Sequence, residues 1–178
     1  MSLPKDVAVG PGKIRRSDGN VYGRYDGPGS FSAKIQSFKE ISMERAQRAV
    51  EIYLKRACEA MVRDSPVLTG NFRYQWQFTM DQKPTSTLIY PGYTGPGNEI
   101  GGENDFIVPA EVTLSRLEKD RIQFELGRTV YIYNLADYSI PLEYGFSKKA
   151  PEGMVRVFLG RSQFVLDAAI EQAKQEIE

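Results

Sequence analysis

Two stretches of the chain place their apolar residues three and four positions apart, the spacing of one face of an α-helix. In residues 42–63 this face comprises Ala46, Ala49, Val50, Tyr53, Leu54, Ala57 and Met61. In residues 151–175 it comprises Met154, Phe158, Ser162, Val165, Ala169 and Ala173. Pro151 suits a first helical position, where its missing N–H costs no hydrogen bond, and Glu152 favours the positive end of the helix dipole. Two long helices are therefore predicted.

Between these helices, shorter stretches alternate apolar and polar residues, as a strand with one buried face does. The clearest is 72–80, whose apolar face comprises Phe72, Tyr74, Trp76, Phe78 and Met80. Further strands are predicted at residues 87–90, 106–108, 112–114, 121–126 and 130–133. The fold class expected is α+β, an antiparallel meander of about four to five strands packed against a long N-terminal-half helix and a C-terminal helix.

Residues 1–30 are rich in glycine and proline and hold few large apolar side chains, too few to offset their own ordering entropy. They predict an extended N-terminal arm, followed by a single domain at residues 31–178. We expect the arm to lie across a partner chain, with a solvated tail or phosphate contact through Lys13, Arg15 and Arg16 as alternatives. Residues 91–105 predict an assembly loop or a hairpin excursion. The candidate inter-subunit contacts in the two segments are Arg15, Arg16, Tyr22, Tyr25, Tyr93 and Ile100.

Composition narrows the function classes. Lysine and arginine together number 23, equal to aspartate and glutamate, so no net field draws the chain to nucleic acid or an anionic membrane. Histidine is absent, which excludes the histidine-based nucleophile pairs and most zinc and iron sites. The single cysteine, Cys58, lies in a helical pattern and predicts a small buried hydrophobe. No signal peptide or membrane span is indicated, so we expect a soluble protein made in a reducing compartment.

Candidate chemistry is limited to two carboxylates, Asp137 and Glu143, that could act as acid and base in a hydrolase. The alternative for Glu143 is structural, with an arginine or turn backbone N–H groups as its partner. The aromatic face of residues 72–80 could also stack nucleic-acid bases, aided by the basic arm, although packing in the core is favoured. The acids of residues 99–125 do not follow the order of a calcium loop. No metal site and no cofactor are predicted.

Two motifs resemble those of the tail-completion, or tail-to-head joining, proteins of long-tailed bacteriophages. The first is a helix followed by a Pro-x-x-Thr-Gly-x-aromatic turn, here carrying Pro66, Thr69, Gly70 and Phe72. The second is a Tyr-to-Leu-Glu-aromatic-Gly segment, then a basic loop and a final helix. Its residues are Tyr138, Leu142, Glu143, Tyr144, Gly145, Ser147, Lys148, Lys149, Pro151 and Arg156. The resemblance covers residues 40–175.

The resemblance implies an α+β subunit of a phage neck, with no catalysis. Such a subunit forms a ring, a hexamer, that joins the head connector to the tail tube and leaves a channel through which DNA passes. Its partners would be copies of itself and the neighbouring neck and tail-tube proteins, with DNA as transient cargo and no membrane. Its expected location is the head–tail junction of the virion, after assembly in the host cytoplasm. The alternative function is a nucleic-acid-binding module.

Overall fold

A computed structural model of the chain describes residues 30–68, 70–88, 90 and 108–177. This part of the chain is mostly helical and has one antiparallel sheet of two strands. In chain order the elements are α1 Ser30–Arg63, α2 Asn71–Tyr74, β1 Trp76–Met80, α3 Ala110–Arg121, β2 Val130–Asn134, α4 Ser139–Glu143 and α5 Val155–Glu176. The chain divides into two compact units, residues 1–44 and 45–178, with the boundary inside α1.

The predicted meander of four to five strands is wrong, and with it the α+β layout that the resemblance implies. Residues 112–114 lie in α3, where Thr113 and Leu117 share the buried face at helical spacing. Residues 121–126 form the end of α3 and the turn after it, and residues 87 and 88 are not in a strand. Residues 89, 106 and 107 lie outside the described residues. Short apolar runs fit a helix or a strand equally well, so alternation over three to six residues was insufficient evidence.

The predicted strand at residues 72–80 begins as a helical turn. Phe72 and Trp76 are four residues apart and face the core from α2 and its end, whereas Trp76 and Phe78 alternate along β1. β1 pairs with β2 from Trp76 opposite Asn134 to Met80 opposite Val130. The prediction of a strand at residues 130–133 is therefore confirmed, and the one at residues 72–80 is correct in its second half.

The helix ends agree with the sequence at two of the four predicted boundaries: α1 ends at Arg63, and α5 ends at Glu176, one residue beyond the predicted end. α1 ends at Arg63, three residues before Pro66, because proline disfavours helical geometry in the residue before it. α1 begins at Ser30, twelve residues before the predicted start. α5 begins at Val155 and not at Pro151, because Gly153 has a φ of 78°, which a right-handed helix excludes.

The core of the second unit lies between α1, the sheet, α3 and α5. Its buried residues include Leu54, Ala57, Cys58, Met61, Val62, Phe72, Trp76, Phe78, Leu117, Phe124, Met154 and Phe158. α5 runs antiparallel to residues 45–63 of α1: Arg161 near its start pairs with Asp64 at 2.9 Å, and Arg45 donates to the carbonyl oxygen of Ile177 at 3.0 Å. Cys58 is buried, as predicted.

Candidate functional site

The two motifs identified in the sequence contact each other in the second unit. The Asn71 side-chain amide donates to the Tyr138 hydroxyl at 3.3 Å, and the rings of Phe72 and Tyr138 lie 5.8 Å apart. Lys149 donates through Nζ to the carbonyl oxygen of Val67 at 2.8 Å. We term this set of contacts the motif junction. Asn71 and Tyr138 are 67 positions apart in the sequence, so the junction exists only in the folded chain.

Glu143, at the end of α4, caps the N-terminus of α5. Its carboxylate accepts hydrogen bonds from the backbone N–H groups of Met154 at 2.9 Å, Val155 at 3.0 Å and Arg156 at 2.9 Å. These groups have no intrahelical partner, and the negative charge lies at the positive end of the helix dipole. The Glu143 side chain, which belongs to the preceding helix, therefore acts as the N-cap of α5, a role that a residue adjacent to the helix usually has.

Arg156 completes this arrangement. Its guanidinium lies 3.5 Å from Glu143 Oε1, donates to the Glu143 carbonyl oxygen, and is 5.0 Å from the centre of the Tyr144 ring. Burial opposes ionisation of Glu143, but the three backbone N–H groups and the Arg156 charge outweigh it and lower the pKa of Glu143. Glu143 thus has both kinds of partner that the structural interpretation of the sequence named, an arginine and turn backbone N–H groups.

Glycine is required beside the motif junction, at Gly70, and at the cap of α5, at Gly153. Gly70 has a φ of 80°, and a Cβ there would lie 2.7 Å from the carbonyl oxygen of Val108. Gly153 has a φ of 78°, and a Cβ there would overlap the carbonyl and carboxylate oxygens of Glu143. Both positions combine left-handed backbone with a close neighbour, so any larger residue would displace the contact.

The remaining described motif residues pack against other parts of the fold. Leu142 packs against the core, Pro66 is half-buried, and the carbonyl oxygen of Pro151 lies against Gly145. Thr69 lies outside the described residues. So do the six candidate inter-subunit contacts, Arg15, Arg16, Tyr22, Tyr25, Tyr93 and Ile100, together with the whole of the predicted loop at residues 91–105.

The aromatic face of residues 72–80 is not a surface for stacking bases. Phe72, Trp76 and Phe78 are each buried in the core. Asp137, the proposed partner of Glu143 in a hydrolase, is exposed, while the Glu143 oxygens already accept the bonds that cap α5. Within the described ranges, no three acidic or cysteine side chains cluster as metal ligands would.

Several polar side chains join elements that are distant in the sequence. Trp76 donates through Nε1 to the Ser65 hydroxyl at 2.8 Å, and that hydroxyl donates to the Met61 carbonyl oxygen at 2.6 Å. Arg116 of α3 donates to the carbonyl oxygens of Tyr74 and Trp76. The sequence carries no local signal for these pairs, because each depends on residues brought together by the fold.

Large apolar side chains project into solvent around the motif junction. Ile140 on α4 is 69% exposed, Tyr144 at its end is 71% exposed, and Phe146 in the following turn is 85% exposed. Lys148 and Lys149 follow in the chain and are exposed as well. Apolar side chains concentrated in seven consecutive residues and bordered by lysines are typical of a protein-interaction surface.

Comparisons of the chain with family models, with curated proteins and with solved structures give no match. Among the described residues, none of the helices has both the length and the apolar character needed to cross a membrane.

Proposed function

We propose that this protein is a structural assembly subunit, and specifically the subunit of a bacteriophage head–tail connector. In that role it forms a ring between the head connector and the tail tube and leaves a channel for DNA. The first part of the proposal rests on the exposed apolar residues Ile140, Tyr144 and Phe146, and the second part on the two motifs of the sequence.

The exposed apolar residues carry the proposal because a subunit that functions by contact needs such a surface. Three large apolar side chains within residues 140–146 are each more than two-thirds exposed. A partner that buried one of these side chains would gain a free energy of about 1.5–3 kcal/mol from it. The surface is also held rigidly, because Glu143 and Gly153 fix α4 against the start of α5.

The geometry of Glu143 favours this role over the hydrolase alternative. A general acid or base must exchange a proton with its substrate, and an acid acting near neutral pH usually has a raised pKa. The pKa of Glu143 is lowered, and its oxygens accept three backbone hydrogen bonds. Its protonation would weaken the cap of α5, which suits a structural carboxylate.

The connector role is tested by disrupting the gene in the phage that encodes it and imaging the lysate by negative-stain electron microscopy. We expect DNA-filled heads and complete tails that remain unjoined, and joined virions when the intact gene is supplied on a plasmid. A plasmid copy with Glu143→Gln and Gly153→Ala, which disturb the rigid surface, is expected to rescue less well than one with Gly160→Ala.

Normal virions after disruption would contradict the connector role, as would the absence of heads or of tails. A lysate of that kind would show that the protein acts at another step or outside the virion. Measuring the amount of each variant protein in the lysate separates a loss of joining from a loss of the protein itself.

A further inference from the structure

The two edges of the sheet differ in how their backbone groups are bonded. Along the outer edge of β1, Arg116 of α3 donates to the Trp76 carbonyl oxygen. The Gln77 side chain donates to the Ser86 carbonyl oxygen at 2.9 Å and holds that segment beside the strand. The outer edge of β1 is therefore covered by other parts of the same chain.

The outer edge of β2 has backbone groups without such partners. The Asp81 N–H donates to the Thr129 carbonyl oxygen at 2.7 Å, next to the last pair of the ladder. In an antiparallel ladder every second residue bonds the neighbouring strand, and the residues between them direct their N–H and C=O groups the other way. Val130 and Ile132 therefore direct these groups away from β1, where no group of the described residues bonds them. We term this row of backbone groups the free edge of β2.

The free edge lacks the features that usually protect an edge strand. Natural sheets shield their edges with proline, charged side chains, bulges or a covering element. β2 has the sequence Val-Tyr-Ile-Tyr-Asn, without proline or charge, and pairs with β1 in unbroken register from Val130 to Asn134. A regular, uncharged edge of this kind is a template for the addition of another strand.

The two faces of β2 define the side chains that suit an added strand. Val130 and Ile132 pack against the core, whereas Tyr131 and Tyr133 lie on the opposite face of the strand. Lys83 Nζ lies 5.9 Å from the centre of the Tyr131 ring, and within the described ranges Lys83 forms no ion pair. A matching strand would carry apolar side chains on the core face and an acid on the face of Lys83.

We infer that the free edge of β2 binds an extended segment of a partner protein as a third strand of the sheet. Backbone hydrogen bonds supply the affinity in such a contact, and alternate side chains supply the specificity. The charge of Lys83 selects an acidic segment, and β2 of a second copy has no acid to offer. The site uses none of the exposed apolar residues at 140–146, so the inference goes beyond the proposed function and does not depend on it.

Amide hydrogen exchange by NMR first tests whether the edge is open in the full-length protein. We expect slow exchange at Tyr131 and Tyr133, which bond β1, and fast exchange at Val130 and Ile132. Protection of Val130 and Ile132 in dilute protein would overturn the inference, because another segment of the chain would already cover the edge. Protection that appears only in concentrated protein would also overturn it, since a second copy would then be the occupant.

The binding probe is the acetylated and amidated peptide Thr-Val-Glu-Val-Thr-Val-Thr, which has the apolar and acidic faces described above. We expect saturable shifts of the amide signals at residues 130–134 and new protection of Val130 and Ile132 against exchange. The absence of these shifts at peptide concentrations up to about 5 mM would overturn the inference.

Peptides with N-methyl groups provide matched controls of identical side chains. One carries N-methyl groups on its valines, and the other carries them on its threonines and glutamate. Only one of these two sets of N–H groups can face β2, so one peptide should lose binding and the other should retain it. Binding that survives both modifications would contradict strand addition.

Two protein variants test the edge from the other side. Val130→Pro removes an outward N–H at the first residue of β2, a position where a strand tolerates proline, and is expected to weaken peptide binding about tenfold. Lys83→Glu is expected to weaken it about threefold, and a peptide with lysine in place of glutamate to recover the loss. Lys55→Glu, at an exposed lysine of α1, is the control.

Unchanged affinity in both edge variants would contradict the site. Thermal unfolding followed by circular dichroism checks that each variant folds. If Val130→Pro does not fold, the exchange pattern of the wild-type protein and the two N-methylated peptides still decide the question.

The outcome is separable from that of the connector role. Strand addition to a protein whose disruption leaves normal virions would keep this inference and remove the proposed function. A closed edge in a protein whose disruption leaves heads and tails unjoined would do the opposite.

Discussion

Single residues decide the connection between α4 and α5. Gly153 accepts the close approach of the Glu143 oxygens because it has no Cβ, and its φ of 78° is one that other residues rarely adopt. Gly160, seven positions on, lies inside α5 with open space around it and has no such requirement. The two glycines therefore have opposite effects on stability, although both lie in the stretch that the sequence predicts as one helix.

Replacing each of these glycines with alanine tests this difference. Gly153→Ala is expected to lower the free energy of unfolding by about 2–4 kcal/mol, from backbone strain and the clash with Glu143. Gly160→Ala is expected to raise it by about 0.5–1 kcal/mol, since alanine favours the helix interior. Urea denaturation of both variants measures the two shifts, and equal shifts would contradict the assigned backbone geometry.

At the scale of elements, side chains from one segment complete the hydrogen bonds of another. Glu143 of α4 caps α5. Arg116 of α3 donates to the carbonyl oxygens of Tyr74 in α2 and Trp76 in β1, with its guanidinium 5.2 Å from the Tyr74 ring centre. Gln75 exchanges hydrogen bonds with the Leu88 backbone, and Gln77 bonds the Ser86 carbonyl oxygen at 2.9 Å. Ser86 and Leu88, at the start of the segment that was predicted as a strand at residues 87–90, are thus held beside β1 by amide side chains.

The cap of α5 predicts a pH dependence of stability. The pKa of Glu143 is lower in the folded chain than its ordinary value of 4.5, so ionised Glu143 stabilises the fold fully above that value. The contribution is lost as the pH falls through the lowered folded pKa. We expect Glu143→Gln to reduce the free energy of unfolding by about 2 kcal/mol at neutral pH.

The measurement is urea denaturation of the wild-type protein and of Glu143→Gln across the acid range. The difference between them should shrink as the pH drops below 4.5 and stay constant above about pH 6. Asp137→Asn serves as the control, because Asp137 is an exposed acid directly before the same motif and has no part in the cap. A difference that grew on acidification would contradict the cap.

At the scale of the second unit, the core encloses the one thiol of the chain. Cys58 is 4% exposed and belongs to the same core cluster as Leu117 and Met61. Burial raises the pKa of Cys58 to about 12, with smaller opposing and reinforcing effects of Arg121, Glu59 and Asp120. The thiol is therefore protonated and covered in the folded chain, so its reactivity reports the integrity of the core.

This burial predicts that a thiol reagent modifies the native protein only as fast as the core opens. At about pH 8 we expect Cys58 to react slowly without denaturant and immediately in concentrated urea. A Phe146→Cys variant gives the comparison, since it adds an exposed thiol that should react at once. Fast labelling of wild-type protein that remains folded by circular dichroism would contradict the packing around Cys58.

The sequence by itself determined the features that depend on neighbours along the chain. Pro66 predicted the end of α1, the long apolar stripes predicted both long helices, and residues 130–133 predicted a strand. Each of these patterns either repeats along the chain or acts on the adjacent peptide. The position of Cys58 within a helical pattern also predicted its burial. These properties follow from periodicity and backbone sterics alone.

Only the tertiary structure decided the rest. Residues 112–114 and 121–126 were too short for their period to distinguish helix from strand, and packing of Leu117 and Phe124 against the core settled their conformation. The positive φ of Gly153, the cap supplied by Glu143 and the contact of Tyr138 with Phe72 each depend on groups that the chain separates and the fold unites. Contacts between segments that are distant in the sequence produce no local pattern, so the sequence alone does not predict them.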